Sequence, residues 1–543
     1  MLAGTIDWPE DLAARYRAAG HWDGSTIFGL LQRAAARWPD KAALVADERR
    51  LSYAELLQQA TRLAARLLAL GLAPRDRVLM QLPNIIEFAV VYFALTRLGA
   101  IPVMALRSHR HAEVRHFLEA SGAVAYVIAD RIGDFDYRDM AEPLRAEAPA
   151  LRHVIVVGDA RPGQRAYAEL NRDGPFEPPQ LQVDPAEVGT MLLSGGTTSM
   201  SKLIPRTQQD YVLNARLCGR AAGFDEHTVF MAILPLGHNY NLASPGMLAT
   251  LLYGGTMVLP PSTQTDRIFA TVQRERVTHI AAVVPLIATW LASDVETRYD
   301  LSSLKVVQNG GARLAPELRA RLRERFGCTP QEIYGTAEGL INMTRLDDDD
   351  EALLHSSGAP VCEADEIRVL DEQDRDVADG ESGELVTRGP YTIRGYYNAA
   401  DKNAEAFTAD GFYRMGDIVR KRGRHVYAEG RRKDFINRGG EKISCEEIEN
   451  LMFAHPKVKT ATLVAMPDAV FGEKACAFVV PHPGQDLSFD ELITFLRSQR
   501  IASFKLPERL EIVDELPVSP VGKILKRQLR EAIALKLQQE QDA

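Results

Sequence analysis

The protein has 543 residues, a length that predicts about two to four domains. Hydrophobic residues make up 46% of the chain, charged residues 25%, and the mean hydropathy is -0.16, so a disordered or fibrous protein is excluded. Lys and Arg number 64 against 73 Asp and Glu, and the resulting net charge of -9 argues against nonspecific binding to nucleic acid or to an anionic membrane.

The five cysteines are widely scattered and none forms a C-x-x-C pair. This spacing indicates neither a disulfide framework nor a zinc site, and we expect reduced, mostly buried thiols. No apolar run approaches the roughly 18 residues that a membrane span needs, and the first residues lack a basic and apolar leader. The sequence therefore predicts a cytoplasmic protein with no membrane association.

The first long element in chain order is a helix that begins after Ser52. Ser52-Tyr-Ala-Glu55 is a capping box, and leucines and alanines then recur at helical spacing as far as Leu68. Further along, the apolar runs Val154–Val157, His279–Val284 and Leu304–Val307 predict strands that alternate with helices such as Ala315–Phe326. This alternation is typical of an α/β domain with parallel-rich sheets.

The pattern changes in the last fifth of the chain. Glycine and charge cluster from Gly411 to Gly440, and Ser444-Cys-Glu-Glu447 then predicts the start of another helix. Ala461–Met466 and Ala475–Val480 are strand-like. We therefore predict a large N-terminal α/β domain, residues 1–432, and a smaller α+β C-terminal domain, residues 433–543, which the family resemblance given below implies to be mobile.

A loop between residues 193 and 202 combines glycine, hydroxyl and lysine side chains. It reads Leu193-Ser-Gly-Gly-Thr-Thr-Ser-Met-Ser-Lys202 and follows an apolar run that could be a strand. Glycine lets the backbone approach a phosphate, while backbone N–H groups, hydroxyls and an ammonium can donate to it. No glycine precedes Lys202, so the loop is not a Walker A motif. The alternative is an ordinary Ser/Gly turn.

Two other segments end in polar side chains. Leu236-Gly-His-Asn-Tyr240 follows an apolar stretch, as expected where a strand opens into a pocket, although a lone histidine is more often structural. Tyr334-Gly-Thr-Ala-Glu-Gly339 places Glu338 where its carboxylate could reach Mg²⁺ on a phosphate, or could simply be solvated.

Basic residues cluster between Arg420 and Lys433. The acidic chain and the scarcity of aromatic residues in this stretch favour a solvated interdomain connection over a nucleic-acid surface.

These segments stand in one order with Tyr413-Arg-Met-Gly-Asp417, Gly430-Arg-Arg-Lys-Asp434 and Pro517-Val-Ser-Pro-Val-Gly-Lys523. In this order the sequence resembles the ANL superfamily of adenylate-forming enzymes from about Ile27 to Leu529. Three segments, which begin at His238, Thr336 and Ile436, are most similar to siderophore-pathway ligases that activate aryl acids. Such ligases make 2,3-dihydroxybenzoyl- or salicyl-adenylate from ATP, with Mg²⁺, and pass the acyl group to the phosphopantetheine thiol of an aryl carrier protein. No carrier domain follows Leu535, so we expect that partner in trans.

The resemblance implies a role for each matched residue. Catalytic roles fall to Lys523 and His238, the metal contact to Glu338, and the hinge between domains to Lys433. The expected aryl-acid contacts are Asn239, Tyr240, Ser244 and Ile341. The expected ATP contacts are Ser194, Gly195, Gly196, Thr197, Thr198, Lys202, Gly310, Gly311, Tyr334, Gly335, Thr336, Asp417 and Arg431.

The implied reaction has two steps and needs no enzyme nucleophile. The substrate carboxylate attacks the α-phosphorus of MgATP, and a thiolate then attacks the mixed anhydride. Ser244 favours 2,3-dihydroxybenzoate as the substrate, whereas Ile341 slightly favours salicylate. We predict that the substrate is 2,3-dihydroxybenzoate. An acyl-CoA synthetase, or a catalytically silent adenylate-binding protein, is the alternative.

Overall fold

A computed structural model of the chain describes residues 1–194, 201–431, 434–438, 441–468, 470–499, 501–519 and 523–542. Up to residue 194 the elements are α1 (Glu10–Ala18), α2 (Ile27–Arg37), β1 (Ala42–Ala46), β2 (Arg49–Ser52), α3 (Tyr53–Ala69), β3 (Arg77–Gln81), α4 (Ile86–Leu98), β4 (Ile101–Met104), α5 (His111–Ser121), β5 (Ala125–Ala129), β6 (Arg131–Ile132), β7 (Phe135–Asp136), α6 (Tyr137–Glu147), β8 (His153–Val157), β9 (Arg165–Ala166), α7 (Tyr167–Leu170) and β10 (Val188–Leu193).

From residue 201 to residue 431 the elements are β11 (Leu203–Thr207), α8 (Gln208–Ala221), β12 (Val229–Met231), α9 (Asn239–Ala243), α10 (Gly246–Leu252), β13 (Thr256–Val258), α11 (Thr265–Glu275), β14 (His279–Ala282), α12 (Val284–Leu291), α13 (Val295–Arg298), β15 (Val306–Gly310), α14 (Pro316–Phe326), β16 (Thr329–Thr336), β17 (Gly339–Met343), α15 (Asp350–His355), β18 (Ala359–Pro360), β19 (Glu366–Leu370), β20 (Ser382–Arg388), α16 (Ala400–Ala406), β21 (Tyr413–Arg422) and β22 (His425–Arg431). The remaining elements are β23 (Phe435–Arg438), β24 (Glu441–Ser444), α17 (Cys445–Phe453), β25 (Val458–Asp468), β26 (Gly472–Pro481), α18 (Phe489–Ser498), β27 (Arg509–Ile512) and α19 (Lys526–Asp542).

The large N-terminal domain is built on parallel-rich sheets, as predicted. One sheet has the strand order β18-β17-β16-β15-β14-β12-β13-β1-β2, parallel from β16 to β1. Another has the order β11-β10-β4-β3-β5-β8-β9, with β11 antiparallel at its edge. Strands β5 and β15 are buried along their whole length, because helices cover both faces of a parallel sheet.

A smaller sheet, β19-β20-β21-β22, is antiparallel and follows the parallel-rich sheets in the chain. The basic stretch predicted to be a solvated interdomain connection lies largely in this sheet: its arginines up to Arg431 are exposed, as predicted, but as far as this residue the stretch is a β-hairpin and not a connection. Arg420 and Arg422 are on β21, and Arg431 ends β22. The buried residues Val419 and Val426 anchor the hairpin, while Arg420 and Arg422 are exposed.

The C-terminal domain carries its own sheet, in which β23, β24, β25 and β26 pair antiparallel and β27 pairs parallel with β26. The hydroxyl of Ser444 caps helix α17, as the sequence predicted, and the helix buries Ile448 and Met452 against this sheet. The predicted α+β class is therefore confirmed. The predicted boundary between residues 432 and 433, and with it the predicted hinge Lys433, lies outside the described residues.

Several local predictions are confirmed with shifted ends. Ser52 and Glu55 form a reciprocal capping box on α3. The run Leu304–Val307 corresponds to a strand that begins later and continues to Gly310. The run His279–Val284 ends as a strand at Ala282, because Pro285 favours the first turn of α12. All five cysteines are buried and unpaired.

Candidate active site

The predicted site residues of the large domain gather at the carboxyl ends of neighbouring strands. His238 follows β12, Gly311 follows β15, and Thr336 ends β16. These strands lie close together in one sheet, separated only by β14 between β12 and β15. Carboxyl ends of parallel strands meet at one edge and open onto loops, which is where ligands bind in open α/β sheets.

The glycine and hydroxyl loop joins β10 to β11, which run antiparallel. The Ser194 backbone N–H donates to the Lys202 carbonyl oxygen at 3.0 Å, and the Lys202 backbone N–H donates to Ser194 Oγ at 2.9 Å. The Lys202 ammonium lies 4.0 Å from the centre of the Tyr396 ring. The predicted ATP contacts Gly195, Gly196, Thr197 and Thr198 fall in the part of the chain that the structure does not describe.

His238 caps the short helix α9 and is neutral at physiological pH. Its Nδ1 accepts a hydrogen bond from the Tyr240 backbone N–H at 3.3 Å, so the ring proton resides on Nε2. Burial, together with the nearby positive charge of Lys523, lowers the pKa of His238 to about 4.

A buried, uncharged polar cluster lies next to His238. Tyr211 Oη donates to Asn239 Oδ1 at 2.9 Å, and Asn239 Nδ2 donates to Ser244 Oγ at 3.2 Å. Ser244 Oγ also accepts from Asn214 Nδ2 at 3.0 Å. Cys218 lies behind this group, and burial raises the pKa of its thiol to about 12, so it stays uncharged as well.

Close packing accounts for two glycines beside this cluster. A Cβ on Gly310 would lie 2.8 Å from the Tyr240 ring, and one on Gly335 would lie 2.8 Å from Ile341 Cδ1. Any larger residue would displace Tyr240 or Ile341, both of which are buried. The Tyr240 hydroxyl is buried without a hydrogen-bond partner among the described residues.

Charged residues lie on the other side of the site. Glu338 is buried, and its Oε1 accepts from Tyr396 Oη at 2.8 Å. Asp417 pairs with the Arg431 guanidinium at 3.0 Å and accepts from Tyr334 Oη at 2.8 Å. Thr336 Oγ1 donates to the Gly339 carbonyl at 3.0 Å, which closes the turn that carries Glu338.

Lys523 reaches this site from the C-terminal domain. A Cβ on Gly311 would lie 3.8 Å from Lys523 Cε, and the charges acting on the Lys523 ammonium are those of Arg431, Asp417 and Glu338. The Lys523 side chain is exposed to solvent. The structure therefore has the C-terminal domain oriented with Lys523 facing the predicted substrate pocket.

Sequence reasoning missed Tyr211, Asn214 and Tyr396, which contact predicted site residues directly. The first two lie on α8, an almost fully buried helix that also carries Gln208, Gln209 and Asp210. Polar residues on a buried helix need partners, so this composition was an available signal. Tyr396 carried no comparable signal, because Glu338 lies 58 residues away in the chain.

The chain is similar to known proteins over nearly its whole length. The sequence profile of the family described as AMP-binding enzyme matches residues 31–397, and that of the AMP-binding enzyme C-terminal domain matches residues 447–523. The chain therefore belongs to the AMP-binding enzyme family, and the predicted membership of the adenylate-forming ANL superfamily is confirmed.

Within the described residues, no helix is both long and apolar enough to cross a membrane.

Individual relatives indicate which kind of AMP-binding enzyme the chain resembles. The 2,3-dihydroxybenzoate-AMP ligase of Bacillus subtilis is 47% identical, with 99% of each chain covered. The salicyl-AMP ligase / salicyl-S-ArCP synthetase of Mycobacterium tuberculosis is 43% identical over 97% of this chain and 94% of its own. The solved apo structure of Mycobacterium smegmatis MbtA is 41% identical, with a TM-score of 0.76 over 97% of this chain and 99% of that chain. The predicted similarity to aryl-acid AMP ligases is thus confirmed.

Proposed function

We propose that the protein activates an aryl acid, 2,3-dihydroxybenzoate in preference to salicylate, as the acyl-adenylate. ATP is the co-substrate and pyrophosphate the first product. The acyl group then passes to the phosphopantetheine thiol of a separate aryl carrier protein in siderophore biosynthesis. The observation that carries this proposal is the uncharged cluster of Asn239, Ser244 and Tyr211, because an acid without an ammonium group needs neutral hydrogen-bonding partners.

The aryl acid lies against this cluster. Asn239 hydrogen-bonds the 2-hydroxyl and carboxylate end of the acid, and Tyr240 and Ile341 pack against the ring. Ser244 Oγ accepts two amide donors and lies beside the Cys218 thiol. Its hydroxyl can therefore donate to a second ring hydroxyl by turning from the thiol, a weak acceptor, to the substrate. This donor supports 2,3-dihydroxybenzoate over salicylate.

ATP occupies the charged side of the site. The loop from Ser194 to Lys202 holds its phosphates, and Asp417 accepts hydrogen bonds from the ribose hydroxyls beside Arg431. Gly310, Gly311 and Tyr334 flank the adenine, with Gly335 and Thr336 continuing the same wall. Tyr334 already donates to Asp417, which keeps that carboxylate in place for the ribose.

Lys523 supplies positive charge to the first step. The carboxylate oxygen of the acid attacks the α-phosphorus, the bond to the pyrophosphate oxygen breaks, and negative charge accumulates on the α-phosphate oxygens. A lysine at this place stabilises that charge. His238, neutral with its proton on Nε2, can donate a hydrogen bond to the acid without repelling Lys523.

Glu338 fits a Mg²⁺ ion that is held mainly by ATP. The described residues contain no group of three or more His, Cys, Asp or Glu side chains that could hold a metal by themselves. Mg²⁺ is commonly bound by one or two carboxylates together with substrate phosphates, so a single carboxylate suffices. Glu338 would hold the ion, which neutralises phosphate charge when bound, and Tyr396 orients the carboxylate.

The second step requires that Lys523 leave the site. We propose that the C-terminal domain rotates about Lys433 and thereby opens the adenylate to the carrier thiol, as domain closure and opening do in other enzymes.

The decisive experiment is ATP–pyrophosphate exchange with a panel of aryl, fatty and amino acids. Exchange with aryl acids alone supports the proposal, and exchange confined to fatty or amino acids contradicts it.

A second assay compares CoA with a holo aryl carrier protein as the thiol acceptor. Preference for CoA would favour the acyl-CoA synthetase alternative, and absence of all exchange would favour a silent adenylate-binding protein.

A further inference from the structure

Residues 389–396, here called the bracing segment, support the turn that runs from Thr336 to Ile341. The Ile393 backbone N–H donates to the Glu338 carbonyl at 2.8 Å, and Thr392 packs so tightly on Gly339 that a Cβ there would overlap it. Tyr391 Oη accepts a hydrogen bond from the Ile341 backbone N–H at 3.2 Å. The bracing segment thus contacts both the residue predicted to bind metal and a residue predicted to touch the acid.

The Tyr391 hydroxyl is itself held by Asp365. Tyr391 is fully buried, and its Oη donates to Asp365 Oδ2 at 2.6 Å. Asp365 Oδ1 is buried without a partner among the described residues, and Gly389 packs against it so closely that a Cβ would overlap it. The carboxyl group therefore has little freedom to turn away from Tyr391.

We propose that Asp365 and Tyr391 are positioning residues that hold the Ile341 backbone, and with it one wall of the aryl-acid pocket, in place. The inference rests on the proposed function, because it needs Ile341 to contact the acid. Neither residue touches substrate: Asp365 acts through Tyr391, and Tyr391 acts through the Ile341 N–H.

The direction of the hydrogen bonds requires a charged carboxylate. A carboxylate only accepts, so Tyr391 gives it the hydroxyl hydrogen and keeps a lone pair for the Ile341 N–H. A protonated carboxyl either carries its hydrogen on Oδ1, which has no partner among the described residues, or donates it from Oδ2 to Tyr391 Oη, which reverses that bond and leaves the tyrosine hydrogen without its acceptor. Protonation of Asp365 therefore loosens the link to Ile341.

Titration of this carboxyl falls near neutral pH. Burial raises the pKa of Asp365 to about 7, although the bond from Tyr391 and the charge of Arg424, at the turn between β21 and β22, oppose the shift. The other charged or titratable groups that act on the pair are Cys362 on the same loop, Cys218 on α8, and Arg345, which follows β17. Because burial raises the pKa of both thiols to about 12, they stay neutral throughout this range.

The test measures pyrophosphate exchange in Tyr391→Phe and Asp365→Asn. We expect Tyr391→Phe to raise the KM for the aryl acid by roughly tenfold and to change the KM for ATP by less than about twofold, because the Ile341 N–H loses its buried acceptor. In the unmodified protein kcat/KM for the aryl acid falls as pH drops through about 7. Asp365→Asn keeps an acceptor for Tyr391 but does not titrate, so that inflection disappears.

The matched control is Tyr126→Phe, which removes another fully buried hydroxyl, one that donates to Gln81. It is expected to lower thermal stability without changing the KM for the acid. The proposal is overturned if Tyr391→Phe does the same, or if Asp365→Asn keeps the inflection. If the unmodified protein exchanges with no aryl acid, the proposed function fails and this inference fails with it; unchanged kinetics in the variants of an active protein overturn this inference alone.

Discussion

Ser244→Cys should shift the substrate preference from 2,3-dihydroxybenzoate toward salicylate. Ser244 Oγ is buried and accepts hydrogen bonds from Asn214 at 3.0 Å and from Asn239 at 3.2 Å. Its own hydrogen is the donor assigned to the second ring hydroxyl. A thiol is a weaker donor and acceptor, so the substitution weakens all three interactions at once.

The size of the shift in substrate preference depends on which acid uses the hydrogen bond from the Ser244 hydroxyl. Weaker bonds from the two asparagines affect both acids, because each acid binds against Asn239. Only 2,3-dihydroxybenzoate carries the second hydroxyl, and leaving it poorly paired in a buried pocket costs about 1–3 kcal/mol. Since about 1.4 kcal/mol is a factor of ten, the ratio of kcat/KM should move toward salicylate by roughly tenfold or more.

The assay is pyrophosphate exchange with the two acids at equal enzyme concentration. Ser121→Cys is the matched control, because Ser121 is equally buried but bonds only to the Phe117 carbonyl on α5. It should leave the ratio unchanged. The reasoning is refuted if the unmodified protein already prefers salicylate, or if Ser244→Cys leaves the ratio where it was.

Three further predictions concern the catalytic lysine, the hinge and His238. Lys523→Ala should reduce adenylation by roughly two or more orders of magnitude yet still transfer from supplied aryl-adenylate, and equal loss in both half-reactions would contradict its assigned role. Lys433→Pro should spare adenylation and suppress thioester formation, since proline restricts the backbone change that a hinge makes; a parallel loss of both would exclude this hinge. The folded pKa of His238, about 4, lies below the ordinary 6.5, so its neutral form favours folding above pH 6.5, and this contribution is lost as pH falls toward 4. His238→Asn should flatten that part of the curve of melting temperature against pH, and an unchanged slope would show that His238 is not responsible.

Local signals in the sequence predicted several elements of the fold. The Ser52 and Ser444 caps are read from a few adjacent residues, and both begin helices in the structure. The apolar runs that correspond to β8 and β14 are short and bounded by turn residues or helices. They were therefore recognised as strands, although the observed strand ends differ from the predicted ones. Helix caps and short strands depend on residues that are close together in the chain, so they can be predicted directly from the sequence.

Partners that lie far apart in the chain could not be predicted in this way. Asn214 meets Ser244 because α8 packs against the segment that follows α9. Tyr391 meets Asp365 because the two residues flank the antiparallel strands β19 and β20. Neither pair has a spacing that indicates contact. The basic stretch was misjudged because its charge suggested a connection, whereas residues 420–431 lie in the hairpin of β21 and β22.

The distribution of charge across the site explains why a catalytic lysine on the smaller domain suits the proposed reaction. The groups assigned to the aryl ring are neutral, and a fixed charge among them would have to be buried at high cost. The groups assigned to ATP include Glu338, Asp417 and Arg431, which pair with neighbours before any ligand binds. The charge that the proposed reaction needs only in its first step is assigned to Lys523, which belongs to the C-terminal domain. Because this charge belongs to the smaller domain, it leaves with that domain, so the proposed change from adenylation to acyl transfer leaves no unpaired charge in the aryl-acid pocket.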